Sequence, residues 1–248
     1  MNILVNGDSF THERHFAREN KPDLTWAYSL KAKNIALGGS SNDRIFHTTI
    51  EHLNKNQVDI LILGWTVWSR YWLTGRNGLY FHIGTNYCTD DNLKGFDNND
   101  KNVHKPIQEF YMKNCLNEFL NFKRFTNYYL HLQEYCKLKN IKFLNFMATQ
   151  PLPDTNEIKL IASEAHMNKS DKDLEAQGIK YNSKILTDAL SKFDKECWVN
   201  KKVGFCFNTW VDNNKLDRWH DGHPGQQASK QWGELIKLTL DGVGSTIL

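Results

Sequence analysis

Residues 58–65, Val-Asp-Ile-Leu-Ile-Leu-Gly-Trp, constrain this chain more than any other stretch. After Asp59 the run carries no charge and is rich in branched aliphatics. A strand with one wet face alternates polar and apolar residues. A continuous apolar run instead belongs at the centre of a sheet covered on both faces. Such sheets are parallel, and parallel neighbours need crossover connections, usually helical.

The rest of the chain supplies the parts. Residues 2–6 (Asn-Ile-Leu-Val-Asn), 34–37 (Asn-Ile-Ala-Leu) and 141–148 (Ile-Lys-Phe-Leu-Asn-Phe-Met-Ala) are further short strand-like runs. Between them, 22–31 has helical character from Pro22. Residues 40–53 form a helix in which Ser40 and Asp43 have capping-box spacing and Ile45, Phe46, Thr49, Ile50 and Leu53 share a face. An aromatic-rich helical stretch runs from Pro106 to about Lys139. A last helix begins near Pro224, with Ala228, Trp232, Leu235, Ile236 and Thr239 on one side. This alternation predicts an α/β fold with a parallel sheet, in one domain spanning 1–248. Two segments interrupt it, at about 70–105 and 150–222. The first is rich in Gly, Asn and Asp and reads as a hairpin followed by a loop. Both are long enough to cover a site and set its specificity.

Composition excludes several classes. The chain is 40% hydrophobic and 24% charged, a globular balance. Its net charge of +3 is scattered, so neither nucleic acid nor an anionic membrane is an expected partner. The five cysteines (88, 115, 136, 197 and 206) are odd in number and form no CxxC pair. Reduced, buried thiols in a cytoplasmic protein fit this better than disulfides or a metal site. No apolar run approaches bilayer length, and Asn-Ile-Leu-Val-Asn is too short for a secretion signal.

In open parallel sheets, ligands bind beyond the carboxyl ends of the strands. The residues there are Gly7-Asp8-Ser9, then Gly38-Gly39-Ser40-Ser41-Asn42-Asp43, then Gly64-Trp65-Thr66-Val67-Trp68-Ser69-Arg70. His220-Asp221-Gly222-His223-Pro224-Gly225 stands just before the last helix. A serine hydroxyl needs a base to become a nucleophile, and a histidine suits that work near neutral pH. A carboxylate on the second ring nitrogen would fix its tautomer. Asp221 is the candidate, with Asp217 behind it. Taken singly, Ser9 and Asp221 could equally be helix caps, Gly38 and Gly39 a turn, and Trp65 and Trp68 core residues. Gly-Asp-Ser-Phe does not match GxSxG, so a nucleophile elbow of the α/β-hydrolase kind is not indicated.

Taken together and in this order, the blocks resemble the SGNH (GDSL-type) hydrolase superfamily over most of the chain. Gly7-Asp8-Ser9-Phe10 is similar to its first block, Asn34-Ile35-Ala36-Leu37-Gly38-Gly39 to its second, and His223-Pro224 to its last. The resemblance implies a three-layer, flavodoxin-like parallel sheet flanked by helices. It implies Ser9 as nucleophile, His223 as base and Asp221 as orienter. The oxyanion would be held by the Ser9 and Gly39 N–H groups. The third block departs from the family's Gly-x-Asn-Asp and puts Thr66 where the donor Asn stands. The last block has Asp221 two residues before His223, where the family has Asp three before. Asn42, Trp65 and Arg70 are candidates for substrate contact; Arg70 would suit a carboxylate or phosphate. The expected activity is cofactor-independent ester hydrolysis, through an acyl-enzyme, on a small-molecule or carbohydrate ester. An acyltransferase with the same site, or a non-catalytic binding protein that keeps the fold, are the alternatives. Substrate identity and oligomeric state are not readable.

Overall fold

The computed structural model describes residues 1–12, 25–74, 80–83, 106, 117–164, 182–220 and 222–242. In chain order the strands are β1 (Ile3–Gly7), β2 (Lys33–Asn34), β3 (Ile60–Trp65), β4 (Tyr71–Thr74), β5 (Tyr80–Ile83) and β6 (Lys142–Met147). The helices are α1 (Asn42–Lys55), α2 (Glu118–Leu138), α3 (Thr155–Glu164), α4 (Ser183–Leu190), α5 (Phe207–Asn213) and α6 (Gln226–Leu240). The fold is α/β, with a four-stranded, all-parallel sheet in the order β2-β1-β3-β6. All six residues of β3 are buried, as its uninterrupted apolar run requires.

The chain divides into two compact units. The first comprises 1–67, 128–152 and 192–248; the second comprises 68–127 and 153–191. Residues 192–222, read from the sequence as part of an insertion, therefore belong with the sheet. Trp198, Val199, Phe207 and Val211 are their fully buried anchors.

Strand alternation assigns the faces of the first unit. Asn6 points to α1: its amide nitrogen reaches the Ile45 carbonyl (3.0 Å) and the hydroxyls of Thr48 and Thr49 (both 2.9 Å). Val5, Ile62, Leu144 and Phe146 belong to the opposite face and pack in one core with Trp232 and Ile236 of α6. On the α1 face, Tyr128 of α2 stacks on Phe46 at 4.4 Å. Beside it, Tyr129, Phe143, Phe193 and Trp198 form an aromatic cluster, with the Cys197 thiol against Tyr129 and Cys136 near Cys197.

Local chemistry differs from the sequence reading at two places. The N-cap of α1 is Ser41, which accepts from the Arg44 N–H; Ser40 instead donates to the Leu37 carbonyl and accepts from the Arg44 guanidinium. Within 22–31, the described part is a turn ending in a 3-10 segment, Tyr28–Leu30, closed by Lys31 in the left-handed region. Of the helical stretch expected between Pro106 and Lys139, α2 is the described part, as expected, and 107–116 lie outside the described residues. In the second unit, β4 and β5 pair antiparallel from Tyr71–Ile83 to Thr74–Tyr80, which matches the expected hairpin. There too Trp68 donates to Glu118 and packs edge-on against Phe122 at 5.0 Å.

Burial is the main force that pushes the Cys136 thiol up to about 12 and the Cys197 thiol up to about 11, from an ordinary 9.0. Both thiols ionise more readily when the chain unfolds. Their contribution is therefore complete below pH 9 and is lost as pH rises through 9 to 12. For Cys136 the slope is about 1.4 kcal/mol per pH unit. Chemical denaturation at stepped pH should show stability falling above pH 9, and Cys136→Ala should flatten that fall.

Candidate active site

The carboxyl ends of β1 and β3 lie side by side, with Gly7 opposite Gly64. The chain leaves β1 toward β2 on one side and β3 on the other, which makes this a switch point of the sheet. Neither glycine could carry a side chain. A Cβ on Gly7 would lie 2.5 Å from Thr11 Oγ1, and one on Gly64 2.7 Å from the same atom and 2.8 Å from Phe146 Cζ. The bare backbones let the turn after β1 fold back over the strand ends.

That turn carries Ser9 and is held on both sides of it. Asp8 Oδ1 accepts from the Phe10 N–H at 3.0 Å, an Asx turn. The Asp8 carbonyl accepts from Thr11 and His12, both at 3.0 Å. Trp26 Nε1 donates to the Phe10 carbonyl at 3.1 Å, and Asn34 Nδ2 to the Thr11 carbonyl at 2.7 Å.

His223 reaches this turn from 214 residues away, with Nε2 2.8 Å from Ser9 Oγ. Its ring tilts against Phe10 at a centroid distance of 5.1 Å. A tight loop presents it. Gly222 donates to the Trp219 carbonyl at 2.9 Å, and Trp219 to the His223 carbonyl at 2.8 Å. Gly222 has φ +84°, a conformation that only glycine adopts cheaply. Asp221 lies outside the described residues. Asp217, the reserve orienter, serves α6 instead. Its carboxylate accepts from the N–H groups of Ala228 (2.7 Å) and Gln227 (3.1 Å), where a helix N-terminus favours negative charge.

On the other side of Ser9, the Ser40 N–H closes a turn onto the Leu37 carbonyl at 3.1 Å, with Gly39 at φ +76°. This is the type II geometry that requires glycine third. A Cβ on Gly38 would lie 3.8 Å from Ser9 Cβ and 3.6 Å from His12 Nδ1, so the turn borders the serine. Among the described residues, the backbone N–H groups of Ser9 and Gly39 donate to no protein acceptor. Thr66 is fully buried, and its hydroxyl has no hydrogen-bond partner among the described residues.

The substrate candidates separate. Asn42 is 4% exposed and clasps Thr66 with both ends of its amide, accepting from the Thr66 N–H and donating to its carbonyl, each at 3.0 Å. Trp65 is fully buried and donates to Asn145 Oδ1 at 2.9 Å, which makes it a core residue rather than a substrate contact. It is the last residue of a strand whose side chains are all buried. Arg70 belongs to the second unit and is half-buried. His220 is exposed. Sequence reading passed over His12, Phe10 and Arg218. Only nearness to Ser9 or His223 along the chain could have flagged them.

Among the described residues, no competing cysteine nucleophile stands out. Burial pushes the Cys206 thiol up, with the neighbouring Asp8 charge adding to it. Cys136 and Cys197 are raised as well, and protonated thiols are poor nucleophiles. Among the described residues, no cluster of three His, Cys, Asp or Glu side chains could hold a metal ion. None of the described helices is long and apolar enough to cross a membrane.

No protein-family model matches the chain, and no curated protein does. Solved structures similar to it include TesA (14% identity, TM-score 0.44, covering 98% of this chain and 99% of that one). A GDSL-like lipase from Bacteroides thetaiotaomicron is similar at 12% identity and TM-score 0.43, covering 97% and 88%. The psychrotrophic esterase EstA from Pseudoalteromonas sp. is similar at 12% and 0.43, covering 97% of both chains. At such identities and TM-scores the likeness says nothing about activity, which has to be read from the site itself.

Proposed function

We propose that this chain is a serine ester hydrolase of SGNH type, with Ser9 as nucleophile and His223 as general base. The observation that carries this reading is the 2.8 Å approach of His223 Nε2 to Ser9 Oγ. That is hydrogen-bond reach for the proton the base must take.

In the reaction, the Ser9 hydroxyl gives its proton to His223 Nε2 as Oγ attacks the ester carbonyl. The carbonyl oxygen becomes an oxyanion. The unspent N–H groups of Ser9 and Gly39 would receive it, with the orphaned Thr66 hydroxyl as third donor in place of an Asn. Each such donor is worth about 10²–10³ in rate. Asn42 would hold the third donor by fixing the backbone that carries it. His223 then returns the proton to the departing alcohol, leaving an acyl group on Ser9. Water, activated by the same imidazole, releases the acid. Asp221 would steady the imidazolium from its other nitrogen.

A fluorophosphonate should label the protein stoichiometrically at Ser9, and Ser9→Ala should abolish labelling. A folded wild-type protein that resists the reagent would end this reading. If an added alcohol captures the acyl group faster than water, the same site is working as a transferase.

A further inference from the structure

We infer that Arg218 is a positioning residue for His223, locking the loop that presents the imidazole to a rigid part of the sheet. The backbone of Arg218 pairs antiparallel with Pro224, the residue just after His223. Its guanidinium donates through Nη1 to the carbonyl of Gly222, the residue just before, at 2.7 Å. One side chain and its own backbone thus bracket His223 from both sides.

The far end of the bracket is firm. Nη2 donates to the Asn208 carbonyl at 3.2 Å, and Nη2 and Nε both reach Asp212 Oδ1, at 2.5 and 3.1 Å. Asn208 and Asp212 are one turn apart on α5. That helix is tied to β6: Asn208 N–H donates to the Ala148 carbonyl at 3.1 Å, and Met147 N–H to the Phe205 carbonyl at 2.8 Å. Phe207 and Val211 bury its other side in the core. The sheet therefore holds α5, α5 holds Arg218, and Arg218 holds the peptides on either side of the imidazole.

The residue type matters. Three nitrogens of one planar fork are in use, which an ammonium cannot reproduce. Gly222 needs the tie most. At φ +84°, with nothing among the described residues within 4 Å of an added Cβ, no side-chain packing restrains it there. Asp212 is 61% exposed and the pair is open to solvent, so its direct share of stability is small. Its effect falls on geometry, where a displacement of about 1 Å can cost about 10²-fold in rate.

This inference rests in part on the serine-hydrolase reading, so its test has two arms. The first arm follows His223 by NMR in protein labelled at its ten histidines, assigned with His223→Gln. In Arg218→Ala, Arg218→Lys and, more mildly, Asp212→Asn, the His223 ring signal and its titration should move while the other histidines stay. The second arm is the fluorophosphonate labelling rate at Ser9, which should fall about 10–100-fold in both Arg218 variants with little change in Tm. An unchanged His223 titration in a folded variant, or a wild-type labelling rate in Arg218→Lys, overturns the inference. If wild-type protein is not labelled at all, the hydrolase reading fails, and the titration of His223 still decides the role of Arg218. Should Arg218→Ala not fold, Asp212→Asn carries the same test through an exposed side chain.

Discussion

If Ser9 and His223 act as proposed, replacing His223 with glutamine should lower kcat on a simple ester such as p-nitrophenyl acetate by about 10⁴–10⁶-fold, and adding Ser9→Ala should cost nothing more. Glutamine keeps the polar reach of the side chain but has no basic nitrogen. The Ser9 hydroxyl then keeps its proton and attacks no faster than a free alcohol. On the proposed reading nucleophile and base would act as one unit, so losing either would lose the whole of their joint contribution. Comparing kcat for the two single variants and the double variant measures this directly. Activity of His223→Gln within tenfold of wild type would mean that another group, such as His12, takes the proton.

Trp232→Ala costs about 3–5 kcal/mol, a large share of the 5–15 kcal/mol by which a domain is ordinarily stable. Trp232 is fully buried on α6. Its ring stacks on Phe207 at 4.4 Å and on Phe205 at 5.6 Å, and meets Trp210 and Phe146 at 5.2 Å each. Truncation opens a cavity walled by four rings that cannot all collapse into it. Trp232→Phe should cost far less than its lost volume suggests. Among the described residues the indole N–H has no acceptor, so phenylalanine also removes an unsatisfied donor. Urea midpoints for the two variants, at unchanged slope, would check this. A cost for Phe as large as for Ala would show that the N–H is satisfied after all.

Periodicity made much of the fold legible. The apolar runs at β1, β3 and β6 are buried for the reason their composition implies. The stripe Ile45, Thr49, Leu53 on α1 faces inward, as does Ala228, Trp232, Leu235, Ile236 on α6. Polar partnerships were less legible, because a sequence names a donor without naming its acceptor. Asp217 had the right charge near His223, yet its carboxylate caps α6. Gly225 leaves it room: a Cβ there would collide with the Asp217 carboxylate. Asn42 stood at the functional edge, but the peptide of Thr66, 24 residues on, claims its amide. Trp65 followed a glycine at a strand end, where either rim or core was open. The buried amide of Asn145, 80 residues away, decides for the core. Arg218 left no trace in any pattern, since its three anchors converge only after folding.

The 214 residues between Ser9 and His223 also have a consequence in time. A ribosome adding residues at typical rates needs on the order of 10–40 s to travel from one to the other. Throughout that interval the growing chain carries the hydroxyl without the imidazole that could activate it. An incomplete product broken off anywhere in between would be a bystander, not a loose hydrolase. On the proposed reading, synthesis of the segment that carries His223 and arming of the serine would become a single event.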